Sequence, residues 1–398
     1  MHETTRYHIS HIERVHLEGY KSIKHLTVEL PPGLNIFIGK NNAGKTNFLE
    51  GLRSLLFLYE NKETSFSYAE VDFISSAESI FTWKIKRPEP DQNLQKIGIL
   101  KGLEITYPPI EKILLDGDLI LDTNSQDEKN KKYDREVLIE PLKILPKSYS
   151  TSRIKSSYVK FNLSDNLDYL EDPDSITISK ANEKNDWNIK INASFFRYFS
   201  GLPLDKTLPI QSKNTNAIKK AIIDNFQFNV QKVKICSFSP IEDFRLNRNF
   251  NIYWDSNVMK IENLLLEFKV KGVWMPWSHL SDGTKRIFYL LHEVARIEYG
   301  IVLIDEPELG IHPHQFHQVM KFLKQESEEK QIIMSTHSPQ ALDFVAPDEL
   351  DHIFIASYTN ENGTQIQSLT AEQQQKARSY MNEELFLRDY WIHADLEI

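Results

Sequence analysis

Two patterns of apolar residues divide the chain. Over 14–20 (Arg14-Val15-His16-Leu17-Glu18-Gly19-Tyr20), and again over 26–30, apolar and polar positions alternate, which predicts two half-buried strands. Pro31-Pro32-Gly33 then turns the chain into Leu34–Ile38, a short apolar run ending at Gly39. Beyond a glycine-rich loop, Phe48, Leu49, Leu52, Leu55 and Leu56 fall at helical spacing, so the first sixty residues read as strands, loop and helix. From 61 to about 265 the pattern becomes many short β-like runs, such as 80–85 and Asp118–Asp122. A helical stretch over 216–228 and a solvated loop at 126–132 (QDEKNKK) belong to the same region. No heptad pattern is sustained, which argues against a long coiled coil, and no internal repeat is visible. After 265, the wholly apolar runs 301–304 and 332–334 have the character of strands buried in a parallel sheet, with a helix over 316–324 between them. A strand at 352–356 and a helix from Ala371 close the pattern.

Composition sharpens this picture at three points. With 398 residues, 40% of them hydrophobic and 26% charged, the chain has the balance of a soluble globular protein of two or three compact units. Its net charge of −9 argues against a surface that coats nucleic acid. One stretch departs from that balance. Between 129 and 160, Lys129, Lys131, Lys132, Arg135, Lys143, Lys147, Arg153, Lys155 and Lys160 outnumber Asp134, Glu136 and Glu140, with Tyr133, Tyr149 and Tyr158 interleaved. A DNA- or RNA-binding face with stacking tyrosines and a plain solvated loop both fit that composition. The single cysteine, Cys236, excludes a disulfide framework and a zinc finger; its apolar surroundings (233–238) predict a buried structural thiol. No apolar run approaches the ~18 residues of a membrane span, and the N-terminus lacks the apolar core of a signal peptide. The expectation is a cytoplasmic protein without a membrane partner.

Chemistry concentrates in four short segments. Gly39-Lys40-Asn41-Asn42-Ala43-Gly44-Lys45-Thr46 satisfies G-x-x-x-x-G-K-[ST], between an apolar strand and an amphipathic helix. Glycines let backbone N–H groups wrap phosphates, and the helix N-terminus adds a positive dipole end. Lys45 is expected to reach the β- and γ-phosphates of ATP, and Thr46 to ligate Mg²⁺. The run 301–304 ends in Asp305-Glu306: Asp305 is expected beside the Mg²⁺ and Glu306 to orient or deprotonate the attacking water. Leu280-Ser281-Asp282-Gly283-Thr284 precedes a helix beginning near Ile287, either as a second anion-binding element or as an ordinary N-capped helix start. His337, after the run 332–334, either hydrogen-bonds a γ-phosphate or is a packed strand-end side chain. His312, His314 and His317 have the spacing of a metal pair, but lack an obvious third ligand; a solvated helix start is the simpler reading.

The order of these segments resembles that of ABC-type ATPases, and the surrounding residues narrow the likeness. Tyr20-Lys21-Ser22, Asp305-Glu306-Pro307-Glu308-Leu309-Gly310-Ile311-His312-Pro313 and Thr336-His337-Ser338-Pro339 look like the SMC/RecF-related branch. Within it they resemble the ATPase heads of the OLD nuclease group and of bacterial anti-phage systems. So does the C-terminal segment with Asn382-Glu383-Glu384-Leu385 and Tyr390-Trp391. The resemblance implies an α/β ABC-type ATPase head, built from 1–60 and 265–398 and interrupted by a β-rich α+β insertion over 61–264. It further implies a Mg²⁺-dependent ATPase acting as a nucleotide-sandwich dimer or higher oligomer. The phosphate loop and Asp305-Glu306 of one subunit would face Ser281 and Gly283 of the other. Asp282 stands where transporter-type signatures carry glycine, and no Q-loop glutamine is evident; Gln92 and Gln95 are candidates by position alone. The segment after His337 is too short for the Toprim nuclease domain of related proteins, so a nuclease or toxin effector is expected on a separate chain. A RecF-type DNA-loading ATPase and a non-hydrolysing ATP-dependent scaffold are rival readings, and a third, a transporter nucleotide-binding subunit, is disfavoured by the long insertion and by Asp282.

Overall fold

A computed structural model of the chain describes residues 9–56, 66–86, 110–122, 156–160, 174–180, 187–191, 229–247, 249–255, 258–296, 300–383 and 386–393. The stretch 123–155, which holds most of the basic region, the helical stretch 216–228, and Gln92 and Gln95 lie outside these residues. The chain divides into two compact units. One comprises Met1–Lys160, Arg296–Leu309 and Met320–Ile398, the other Phe161–Ala295 and Gly310–Val319.

The first unit is built on a sheet of twelve strands among the described residues. Its N-terminal part is β1 (Ile9–Tyr20), β2 (Ile23–Glu29), β3 (Leu34–Ile38) and the helix α1 (Lys45–Leu56). Four antiparallel neighbours follow: β4 (Tyr68–Ser75), β5 (Ile80–Lys86), β6 (Ile110–Leu115) and β7 (Asp118–Asp122); then comes β8 (Ser156–Lys160). Strands from the β-rich middle of the sequence thus extend the same sheet as β1 to β3.

The second unit holds two smaller sheets. Its strands are β9 (Asp174–Lys180), β10 (Trp187–Ile191), β11 (Asp243–Leu246), β12 (Asn251–Asp255), β13 (Val258–Leu264), β14 (Leu266–Val270) and β15 (Val273–Pro276). They are ordered β10-β9-β13-β12 and β11-β14-β15, with α2 (Asn229–Phe238) before β11 and α3 (Asp282–Arg296) after β15. Phe288 of α3 packs edge-on against Phe268 and Phe244, at ring-centroid distances of 5.0 and 5.3 Å, and against Trp277 at 5.6 Å. Ile287, Leu290, Leu291 and Val294 bury the same helical face. Cys236, on α2, is half-buried rather than enclosed as its apolar neighbours suggested; as a helix the segment turns Val233 outward. Burial, and then the charge of Asp243, still push the thiol up to about 11.

The chain re-enters the first unit at β16 (Ile301–Asp305), and α4 (Pro313–Glu326) begins in the second unit and ends in the first. β17 (Gln331–Thr336), β18 (Ile353–Thr359), β19 (Gly363–Ser368), α5 (Ala371–Asn382) and α6 (Leu387–His393) complete it. The large sheet runs β7-β6-β5-β4-β1-β2-β19-β18-β3-β17-β16-β8. Its neighbours β18-β3-β17-β16-β8 are all parallel, and β3, β16 and β17 are buried along their full length, as their apolar runs require. Phe37 of β3 is stacked between Phe48 of α1 and Phe354 of β18, at centroid distances of 5.0 and 4.7 Å. A buried amide fastens β1 to this core: Gln331 Nε2 donates to Ile12 O at 2.9 Å, and Gln331 Oε1 accepts from Ile12 N at 2.9 Å. Among the described residues, no helix is long and apolar enough to cross a membrane.

Candidate functional site

Parallel register decides what meets at the carboxyl ends of the central strands. Thr336 pairs with Ile38, and Asp305 with Ser335, so β3, β17 and β16 end side by side. In open α/β sheets the loops at such ends form the ligand crevice. Here a cleft of about 630 Å³ is lined by Asn41, Asn42, Ala43, Gly44, Lys45, Thr46, Asn47, Glu306, Leu309 and His337. Its size is that of a small-molecule site.

The loop over 39–46 needs its glycines for close approach. A Cβ on Gly39 would stand 2.3 Å from Ala356 O, and one on Gly44, at φ +95°, 1.9 Å from Thr364 Oγ1. Asn42 also takes a left-handed conformation, at φ 65°. The loop folds over the Lys45 side chain, which is buried; its Nζ donates to Gly39 O at 2.7 Å and Lys40 O at 3.1 Å. Lys40, Asn41 and Asn42 are exposed at the rim.

Asp305 and Glu306 face different partners. Thr46 Oγ1 donates to Asp305 Oδ1 at 3.1 Å, and Ser335 Oγ donates to the same oxygen at 2.5 Å. Hydroxyl and carboxylate oxygens are the donor set that a hard divalent cation prefers, so Thr46 and Asp305 fit Mg²⁺. Glu306 sits at φ 48°, strained for a residue with a Cβ. It is held there because its N–H donates to Ser335 O at 3.0 Å, while its carbonyl accepts from Leu309 N at 3.2 Å. Its carboxylate oxygen Oε1 lies 2.9 Å from His337 Nε2, and His337 Nδ1 lies 3.3 Å from Lys45 Nζ. The lysine can only donate, so Nδ1 is the accepting nitrogen and Nε2–H points at Glu306.

Two supporting residues, Ser335 and Glu308, are given no role by the sequence. Ser335 touches both Asp305 and the Glu306 N–H, the latter through Oγ at 3.3 Å. Glu308 Oε1 accepts from His337 N at 2.6 Å and fixes the backbone that carries the imidazole. Burial pushes the Glu308 carboxyl above its usual range, against hydrogen bonds from His337 and Thr336, and the negative Glu306 nearby raises it further.

Ser281 and Gly283 belong to the second unit. Ser281 is the N-cap of α3: its Oγ accepts from Thr284 N at 3.3 Å and lies 2.8 Å from Thr284 Oγ1. That cap starts the helix at Asp282, five residues before Ile287, and sets Asp282 in its first turn, where a carboxylate suits the helix dipole. A Cβ on Gly283 would stand 3.1 Å from Gly310 O. Ser281 and Asp282 are exposed. His312, His314 and His317 are exposed as well, and their ligand atoms do not converge.

Comparison with known proteins finds likeness along most of the chain. Residues 34–343 match the family described as "AAA domain, putative AbiEii toxin, Type IV TA system". An ATP/GTP phosphatase of Helicobacter pylori is 26% identical over 351 residues, 84% of this chain and 87% of that protein. The "Retron Ec83 probable ATPase" of Escherichia coli is 29% identical over 159 residues, 35% of this chain and 29% of the relative. The DNA replication and repair protein RecF of Listeria monocytogenes is 33% identical over 95 residues, 24% of this chain and 23% of RecF. Among solved structures, the SMC head bound to the C-winged helix domain of ScpA aligns with a TM-score of 0.50 at 16% identity, over 92% of this chain and 99% of that one. The fold is that of an SMC-like ATPase head, as the order of the sequence segments implied.

Proposed function

The chain belongs to the AAA domain family of the AbiEii type, an SMC/RecF-like group of P-loop ATPases, and on that premise we propose that it hydrolyses ATP as a nucleotide-sandwich dimer. The observation that carries the hydrolytic part of this reading is the link from Lys45 through His337 to Glu306 at the mouth of the phosphate loop. Lys45 and the loop N–H groups hold the β- and γ-phosphates. Glu306 takes a proton from the attacking water as its oxygen bonds to the γ-phosphorus; the bond to the β–γ bridging oxygen breaks, and ADP and phosphate leave. His337 keeps the Glu306 carboxylate aimed and donates a hydrogen bond from Nε2. Thr46 and Asp305 would hold Mg²⁺, which draws charge from the phosphate oxygens when bound. Ser281 and Gly283 of a second subunit close over the nucleotide, with the exposed α3 N-terminus meeting the γ-phosphate.

Likeness to a retron ATPase and the AbiEii description of the family support a place in anti-phage defence, as the sensor or regulatory ATPase of a system whose effector is a separate chain. The RecF match favours one alternative, a DNA-loading ATPase, and turnover stimulated by duplex DNA would select it. Glu306→Gln tests the chemistry. It is expected to retain ATP binding and to lower turnover by about 100- to 10,000-fold, the range of a lost general base. Turnover at the wild-type rate would remove Glu306 from that role.

A further inference from the structure

Away from the nucleotide cleft, one face of the large sheet gathers three side chains whose ligand atoms all lie within 4.8 Å of one another. His16 and Glu18 project from the same side of β1, two residues apart, and β2 places His25 opposite Glu18. His16 Nε2 lies 3.1 Å, and His25 Nδ1 3.2 Å, from one and the same oxygen, Glu18 Oε1. The second nitrogen of His16 is engaged, with Nδ1 2.8 Å from the Oγ1 of Thr27, its cross-strand neighbour.

This second contact makes the cluster more than an ion pair. The 3.1 and 3.2 Å contacts are hydrogen bonds to Glu18 Oε1; a cation takes the place of their protons, and a neutral His16 whose Nδ1–H donates to Thr27 then offers it the lone pair of Nε2. Two imidazoles and a carboxylate grouped in this way are a donor set that suits a divalent cation, and a hydrogen bond on the far nitrogen is how metal-bound histidines are oriented. Bonds of 2.0–2.1 Å in a tetrahedron separate neighbouring Zn²⁺ ligands by about 3.3 Å. Both separations from Glu18 come close to that edge. The nearby Glu70 does not compete, because Arg14, Lys84 and the Tyr68 hydroxyl already occupy its oxygens.

We propose that His16, Glu18 and His25 bind one Zn²⁺ ion, with the fourth coordination position open to solvent. Exposure rises from 13% at the His16 side chain through 39% at Glu18 to 69% at His25, which gives the ion a floor and a way in. The ion ties β1 to β2 just before the turn that carries Ser22, whose Oγ meets Asn47 of α1 at 2.6 Å and Thr364 of β19 at 2.7 Å.

The test uses the full chain, free of any affinity tag, stripped with chelator and titrated with Zn²⁺ in excess Mg²⁺. One Zn²⁺ per chain is expected, with a rise in Tm. Co²⁺ in its place should give the visible absorption of a four-coordinate nitrogen–oxygen site. His25→Ala and Glu18→Gln should each weaken Zn²⁺ binding about 100-fold, and Thr27→Val about 10-fold, within the range of outer-contact losses at metal sites. His314→Ala, among the non-converging histidines at the start of α4, should leave binding unchanged. Absence of stoichiometric uptake, uptake that survives His25→Ala, or uptake lost in His314→Ala would each overturn the proposal.

Discussion

The phosphate loop and the Ser281 segment are both short polar turns that open a helix, yet they are supported in different ways. The loop is completed by distant parts of its own unit: Lys45 is roofed by backbone carbonyls, and Thr46, Asp305 and Ser335 share one oxygen. Ser281 is bonded to Thr284, within the helix it caps, and is exposed. A loop so supported can bind phosphate from a single chain. An exposed cap has donors to offer but no site of its own, which suits a surface that acts on a nucleotide held by another copy.

Substitution should separate the two regions most sharply at the level of nucleotide affinity. Lys45→Ala should weaken ATP binding roughly 100-fold, since it removes the charge-assisted bonds to the phosphates, worth about 3 kcal/mol. Ser281→Arg should leave the affinity of an isolated subunit unchanged, at a cost of about 1 kcal/mol in stability from the lost cap. Equilibrium binding of labelled ATP at protein concentrations below dimerisation compares them directly, and equal losses would dissolve the distinction.

A smaller effect sharpens the same contrast, because the first region contains a carboxyl raised by partial burial, Glu308, and the Ser281 cap does not. Glu308 titrates above its ordinary value in the fold, so the folded chain keeps a proton that the unfolded chain releases. The stability tied to that proton is present below the ordinary carboxylate pKa of 4.5 and is lost as pH rises through the raised folded value. Glu308→Gln keeps an acceptor for His337 N–H and removes this loss. The stability of the variant should therefore fall less between about pH 5 and pH 8 than that of the wild type. Urea melts at the two values measure it; an unchanged pH slope would mean that Glu308 is ionised in the fold throughout.

What was legible in the sequence, and what was not, follows from the range of each cause. Phosphate-loop glycines, Lys45, Thr46 and the strand ending in Asp305-Glu306 are local: backbone approach and buried parallel pairing demand those residue types in that order. Ser335 and Glu308 are ordinary residues until the register of β16 and β17 sets them against Asp305 and His337. The His16–Glu18–His25 cluster is hidden for the same reason, since His25 joins it only through the pairing of β1 with β2. β19 gives no strand signal because Gly363-Thr364-Gln365-Ile366-Gln367-Ser368 is mostly polar; it is a strand through its pairing with β18. Cys236 lies shallower than its apolar run suggests, because such a run gives no sign of a helix that turns part of its residues outward.

The central claim, an active site shared between two subunits, is tested most directly by mixing. Lys45→Ala and Ser281→Arg are each expected to be unable to trap ATP as homodimers. In a mixed dimer both lesions fall in one site, while the other site pairs an intact phosphate loop with an intact Ser281. Trapped nucleotide, counted after rapid removal of free ATP, should be close to one per mixed dimer. No recovery of trapping, in samples where mixed dimers have formed, would contradict a role for Ser281 across the interface and with it the sandwich.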